Sequence, residues 1–130
     1  MKYWTLFILL ALCMSACHEP TAEEAAKESL KVALDALCRD DYDAYLQHVD
    51  IGMPMDSAQR AFMRDVLRQH QEWKRAERAA IVSVDVIDAR MFGDSICMLY
   101  YQYVFADSTR EVVSQKMVRS GEEWKLRLRN

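Results

Sequence analysis

Between residues 80 and 128 apolar and polar side chains alternate with a period of two in four successive runs, and turn residues separate the runs. That pattern predicts an antiparallel sheet. The first run, 80–89, sets Val82, Val84 and Val86 against Ser83 and Asp85 and ends at the turn residues Phe92-Gly93-Asp94. The second, 95–105, is apolar on both sides. Ile96, Met98, Tyr100 and Val104 line one side, and Cys97, Leu99, Tyr101, Tyr103 and Phe105 line the other, which predicts a central strand covered on both faces. The third, 111–119, points Val113 and Met117 one way. After Ser120-Gly121-Glu122-Glu123, Trp124, Leu126 and Leu128 face in and Lys125, Arg127 and Arg129 face out.

Upstream the period changes to 3.6. Thr21 followed by Glu24 is a capping box, and Ala26, Leu30, Ala33, Leu34 and Leu37 form one apolar stripe that ends near Cys38. The acidic run at Asp40, Asp41 and Asp43 lacks the glycine and terminal glutamate of a calcium loop. It predicts instead the cap of a short second helix through about Val49, with Tyr42, Tyr45, Leu46 and Val49 inward. Gly52 and Pro54 break the chain, and Asp56 or Ser57 caps a third helix reaching about Ala79. On a helical wheel Ala58, Phe62, Val66, Gln69, Trp73 and Ala76 share one side, the expected core face. Arg60, Arg64, Arg68, Arg75 and Arg78 gather within roughly 80° on the opposite side. The expected architecture is therefore α+β, with three N-terminal helices packed on a curved four-stranded antiparallel sheet.

The first residues carry an address. Lys2 precedes the apolar run Trp4 to Leu12, which is shorter than the ~20 residues a membrane span requires. Met14-Ser15-Ala16-Cys17 resembles the bacterial lipobox. The implied organisation is a signal peptide over 1–16, a lipidated Cys17 with a tether over 17–21, and a folded domain over 22–130. Such a chain is expected in the bacterial cell envelope, lipid-anchored to a membrane and either periplasmic or surface-exposed.

With Cys13 in the signal and Cys17 lipidated, Cys38 and Cys97 remain as thiols. A bridge between them would stabilise the fold by roughly 4 kcal/mol, but the favoured reading is two small buried hydrophobes. No Cys/His ligand spacing occurs, so no metal and no cofactor are expected. The net charge of −3 and an exported location exclude nucleic acid as a partner. Against that acidic background the five arginines read as a solvated helix back, or else as a surface for anionic phospholipid headgroups.

The segments Ala33-Leu34-Asp35-Ala36-Leu37 and Asp41-Tyr42-Asp43-Ala44-Tyr45-Leu46, with the ending Val113-Ser114-Gln115-Lys116-Met117-Val118-Arg119-Ser120-Gly121-Glu122-Glu123-Trp124-Lys125-Leu126, resemble the NTF2-like superfamily. That superfamily includes ketosteroid isomerase, and the likeness is greatest to the DUF4878-type bacterial lipoproteins. The resemblance implies a cone-shaped cavity between sheet and helices. It carries no catalytic signature.

Three functions are expected in consequence. A non-catalytic binding module would take a small apolar ligand against Trp73, Tyr101, Tyr103 and Phe105. An isomerase-like enzyme would need Asp85 or His70 as a base beside Tyr101 or Tyr103. A docking subunit, or a homodimer, would use the outer sheet face at Met98, Tyr100 and Gln102. Ser-His-Asp, phosphate-loop, HExxH and GxGxxG patterns do not occur.

Overall fold

The computed structural model of the chain describes residues 19–128. Helices α1 (Ala22–Cys38), α2 (Tyr42–Gln47) and α3 (Ser57–Glu77) accompany strands β1 (Val49–Asp50), β2 (Ile81–Phe92), β3 (Ile96–Phe105), β4 (Arg110–Ser120) and β5 (Glu123–Arg127). The strands form one sheet in the order β1-β5-β4-β3-β2. The last four pair antiparallel, as the alternating pattern predicts.

The fifth strand corrects the expected four. The second helix stops at Gln47, and Val49 and Asp50 run parallel to Leu126 and Arg127. The Leu126 amide donates to the His48 carbonyl at 2.7 Å and the Leu128 amide to that of Asp50 at 3.2 Å. The sheet is therefore mixed.

Each helix begins on a cap visible in the chain. Thr21 Oγ1 accepts from the Glu24 amide while Glu24 Oε2 accepts from that of Thr21, both at 3.2 Å. Asp41 accepts from the Ala44 amide, and Asp56 exchanges bonds with Gln59 to start α3. α1 ends in a Schellman turn. The Asp41 amide reaches the Ala36 carbonyl at 2.9 Å and the Asp40 amide that of Leu37 at 3.1 Å, with Asp40 at φ 61° where glycine is usual.

α1 lies across the inner sheet face, touching β2, β3 and β5. Its Ala26, Leu30, Ala33, Leu34 and Ala36 are buried against Leu99, Tyr101, Met117, Trp124 and Leu126, and Tyr45 and Leu46 of α2 close one end. Burying each of the leucines and Met117 stabilises the fold by roughly 1.5–3 kcal/mol, and each alanine by less. On β3 burial alternates strictly: Cys97, Leu99, Tyr101, Tyr103 and Phe105 are buried, and the other side is half-buried. Val84 and Val86 of β2 pack inward, but the pairing slips between Ile81 and Ser83 and again between Val86 and Asp88. These bulges leave Val82 and Ile87 outside, so Val82 does not share the face of Val84.

α3 is rotated from its expected setting. Phe62 is 67% exposed and Trp73 55%, and Ala58, Val66, Gln69 and Ala76 are exposed as well. The face turned inward carries Met63, Leu67, Gln71 and Lys74, about 140° round the helix from the expected one. Apolar character runs continuously along an arc from Phe62 through Val66 and Met63 to Leu67, and only its latter half meets the protein.

Candidate functional site

Near its C-terminal end the inward face of α3 approaches the sheet, and there it leaves a cavity of about 360 Å³. Phe105 and Ile81 supply an apolar floor, and Cys38, Gln71, Lys74 and Arg75 stand around it. Gln71 is buried, and its Nε2 donates to the Leu37 carbonyl at 3.3 Å, a second bond to an oxygen that also accepts the Asp40 amide.

The cations of this end are set on aromatic faces. Lys74 Nζ sits 4.7 Å from the centre of the Tyr103 ring and the Arg78 guanidinium 4.9 Å from that of Phe105. Both lean on one carboxylate, Glu111 Oε2, at 3.9 Å from Lys74 Nζ and 3.6 Å from Arg78 Nη1. Arg75 borders the cavity and donates from Nη2 to Asp40 Oδ1 at 2.6 Å. The Arg75 guanidinium and the Tyr42 hydroxyl together hold the Asp40 carboxyl below the usual aspartate range. Partial burial pushes the Cys38 thiol up, and Asp35 adds to the effect, so this sulfur is not an activated nucleophile.

Behind the cavity stand three buried phenols. The Tyr101 and Tyr103 rings meet edge to face with centroids 5.5 Å apart, and Tyr103 and Phe105 lie at 6.3 Å. Burial raises Tyr45 to about 12 and pushes Tyr101 and Tyr103 up too, so all three are neutral hydrogen-bonding groups at physiological pH.

Of the four aromatics expected to share a cavity, Tyr101, Tyr103 and Phe105 lie together and Trp73 does not. Trp73 stacks on His70 at 6.1 Å on the exposed side of α3. Asp85 is exposed on β2, so the structure brings neither expected base to the tyrosines. The five arginines do follow one side of α3, but they are largely engaged. Arg64 pairs with Asp43, Arg68 with Asp65 and Glu72, Arg75 with Asp40, and Arg78 with Glu111. Arg60 borders a separate, more polar hollow of about 530 Å³ with Met53, Met55 and Lys125.

Both Cys38 and Cys97 are free thiols. Cys97 is a buried hydrophobe as expected, whereas Cys38 is exposed at the cavity edge. Cys17 and the signal segment lie outside the described residues. No helix among the described residues is long and apolar enough to cross a membrane, and no group of three or more His, Cys, Asp or Glu among them is placed to hold a metal. Sequence reasoning missed Gln71, Lys74 and Glu111. The available signal was that Gln71 and Lys74 continue the Met63–Leu67 row at spacings of four and three.

No protein-family model matches the chain, and no curated protein matches it. Among solved structures it is similar to an NTF2-like protein from Campylobacter jejuni, a candidate transpeptidase, with a TM-score of 0.63 at 11% identity over 79% of this chain and 98% of the other. A Kribbella flavida protein aligns at 23% identity with a TM-score of 0.45, over 79% of this chain and 84% of the other. A SEC-C motif containing protein from Rhodopseudomonas palustris aligns at 13% and 0.48, over 86% and 92%. The first of these likenesses, together with helices laid on one face of the sheet, establishes that the chain has an NTF2-like α+β fold.

Proposed function

We propose that the protein is a bacterial envelope lipoprotein of the DUF4878 type, anchored through lipidated Cys17, whose NTF2-like domain binds a small ligand without transforming it. The observation that carries this reading is the cavity under the end of α3, with an apolar floor and a polar rim. Its groups fit binding better than chemistry. The thiol and the phenols have upward-shifted pKa values, and Asp85 and His70 sit on outer surfaces.

Anchoring is tested by mass spectrometry of the membrane-extracted protein. The expected product begins at Cys17 and carries acyl mass, and Cys17→Ser moves the protein to the soluble fraction. Recovery of an unacylated chain removes the anchor. Binding is tested by thermal shift across a small-molecule library. A ligand at one hundred times its Kd adds about 2.7 kcal/mol, and a flat screen counts against the reading.

A second reading draws on the outer sheet face. Met98, Tyr100 and Gln102 are half-buried there, with Ile87 and Val112 exposed nearby. They suit a homodimer or a docked envelope partner. Solution mass distinguishes the two, and a monomer that no envelope protein joins excludes both.

A further inference from the structure

We infer that the cavity under the C-terminal end of α3 selects a small amphipathic carboxylate, an inference that rests on the binding reading above. The argument is a balance of charges and donors. Lys74 and Arg78 share the carboxylate of Glu111, and the nearby Asp107 carboxyl is held down by Thr109 hydrogen bonds and also by the charge of Arg78. Lys74, the one of the two that lines the cavity, is therefore the cation left incompletely paired. The Lys74 side chain is only 17% exposed, which strips its ammonium of much of its water. Its distance of 3.9 Å from Glu111 is too long for a hydrogen bond, so the ammonium keeps donors to offer. Arg75 spends Nη2 on Asp40 and has further N–H groups to present to the same cavity. The Gln71 amide gives one N–H to the Leu37 carbonyl and keeps a second N–H and the Oε1 acceptor.

The rim thus offers the charged donors of Lys74 and Arg75 against the neutral acceptor of Gln71, and it encloses a floor of Phe105 and Ile81. An anion with an apolar body meets both requirements. It would complete the pairing of a partly desolvated cation and cover the exposed apolar floor. A neutral apolar molecule would satisfy only the floor, and a cation would be repelled. At about 360 Å³ the cavity accepts an acid the size of a phenylalkanoate.

Cys38, at the cavity edge, is a built-in reporter, and Cys97, fully buried, reports unfolding. The experiment follows iodoacetamide alkylation of Cys38 by peptide mass spectrometry on the full-length chain in detergent, with 3-phenylpropanoate or 3-phenylpropanamide added. The expected result is that the acid slows Cys38 alkylation and the amide needs about tenfold higher concentration for equal protection. Lys74→Gln is expected to erase that preference, Lys74→Arg to keep it, and Cys97 to stay unreacted in both. Equal protection by acid and amide would leave a binding cavity but overturn selection for the anion. Protection by neither would overturn the inference and, at this cavity, the binding reading with it. Because the acid and amide are compared on the unaltered protein, their difference is readable even where a variant fails to fold.

Discussion

Arg75 Nη2 donates to Asp40 Oδ1 at 2.6 Å across 35 positions of chain, tying the C-terminal part of α3 to the turn that ends α1. The Tyr42 hydroxyl donates to the same oxygen at 3.1 Å. This is the clamp that positions one wall of the cavity. Because both groups are largely exposed, it stabilises by no more than about 0.5 kcal/mol.

The clamp has a pH signature. The Asp40 carboxyl titrates below its ordinary 3.8 in the folded chain, so the folded state binds fewer protons than the unfolded state around that pH. Its stabilisation is present in full above 3.8 and is lost as pH falls through the lowered folded value. Asp40→Asn should therefore lower stability slightly at pH 7. The gap from the parent protein should close in urea titrations taken at progressively more acid pH.

Asp40→Gly separates two effects at one position. The residue sits at φ 61°, where glycine gains roughly 0.5–1 kcal/mol over a residue with a Cβ, and the substitution also removes the acceptor for Arg75. The expected outcome is unchanged or slightly raised stability, together with faster alkylation of Cys38 as the wall loosens. A clear loss of melting temperature would mean that the clamp outweighs the turn.

The rotation of α3 is testable with paired truncations. Leu67 packs against the core and Phe62 is 67% exposed, so Leu67→Ala should cost about 1–2 kcal/mol while Phe62→Ala stays within about 0.5 kcal/mol. The expected core face makes the opposite prediction. Denaturant midpoints at equal m-value decide between them.

Gly52 is held at φ 89°, and a Cβ placed on it would stand 2.8 Å from Arg127 Nη1. Gly52→Ala should cost about 1 kcal/mol or more, measured by thermal unfolding. Adding Arg127→Ala should recover only the part due to crowding, since the backbone strain remains.

Core truncation gives the upper end of the scale. Leu99, with no exposed surface at the centre of β3, should lose about 2–5 kcal/mol as Leu99→Ala in a chemical denaturation series.

How far the chain could be read depends on how each element signals itself. β3 and α1 were legible because each buries a whole face, so Leu99 and Tyr101, or Leu30 and Leu34, recur at the period of their element. β1 was not legible. Val49 and Asp50 are two residues, too few to show a period, and they are strand only because Leu126 lies beside them. The setting of α3 misled for a different reason. A helix that is apolar from Phe62 round to Leu67 does not declare which half is covered, and the bulky aromatics Phe62 and Trp73 drew the choice to the wrong half. The cavity shares that obscurity. Lys74, Gln71 and Glu111 read singly as surface polar residues, and only the crossing of α3 over β3 and β4 gathers them.

The seam between Val49 and Leu126 joins the middle of the chain to its last strand. Trp124 and Leu126 are part of the interior that α1 covers, and their strand is held on one side by residues nearly eighty positions earlier. A chain lacking its final strand keeps the β2 and β3 side of the floor under α1 but loses the part that Trp124 and Leu126 supply. Closing that seam is a long-range step, so the last strand's place in the interior carries the entropic cost of a long loop as well as that of the hairpin beside it.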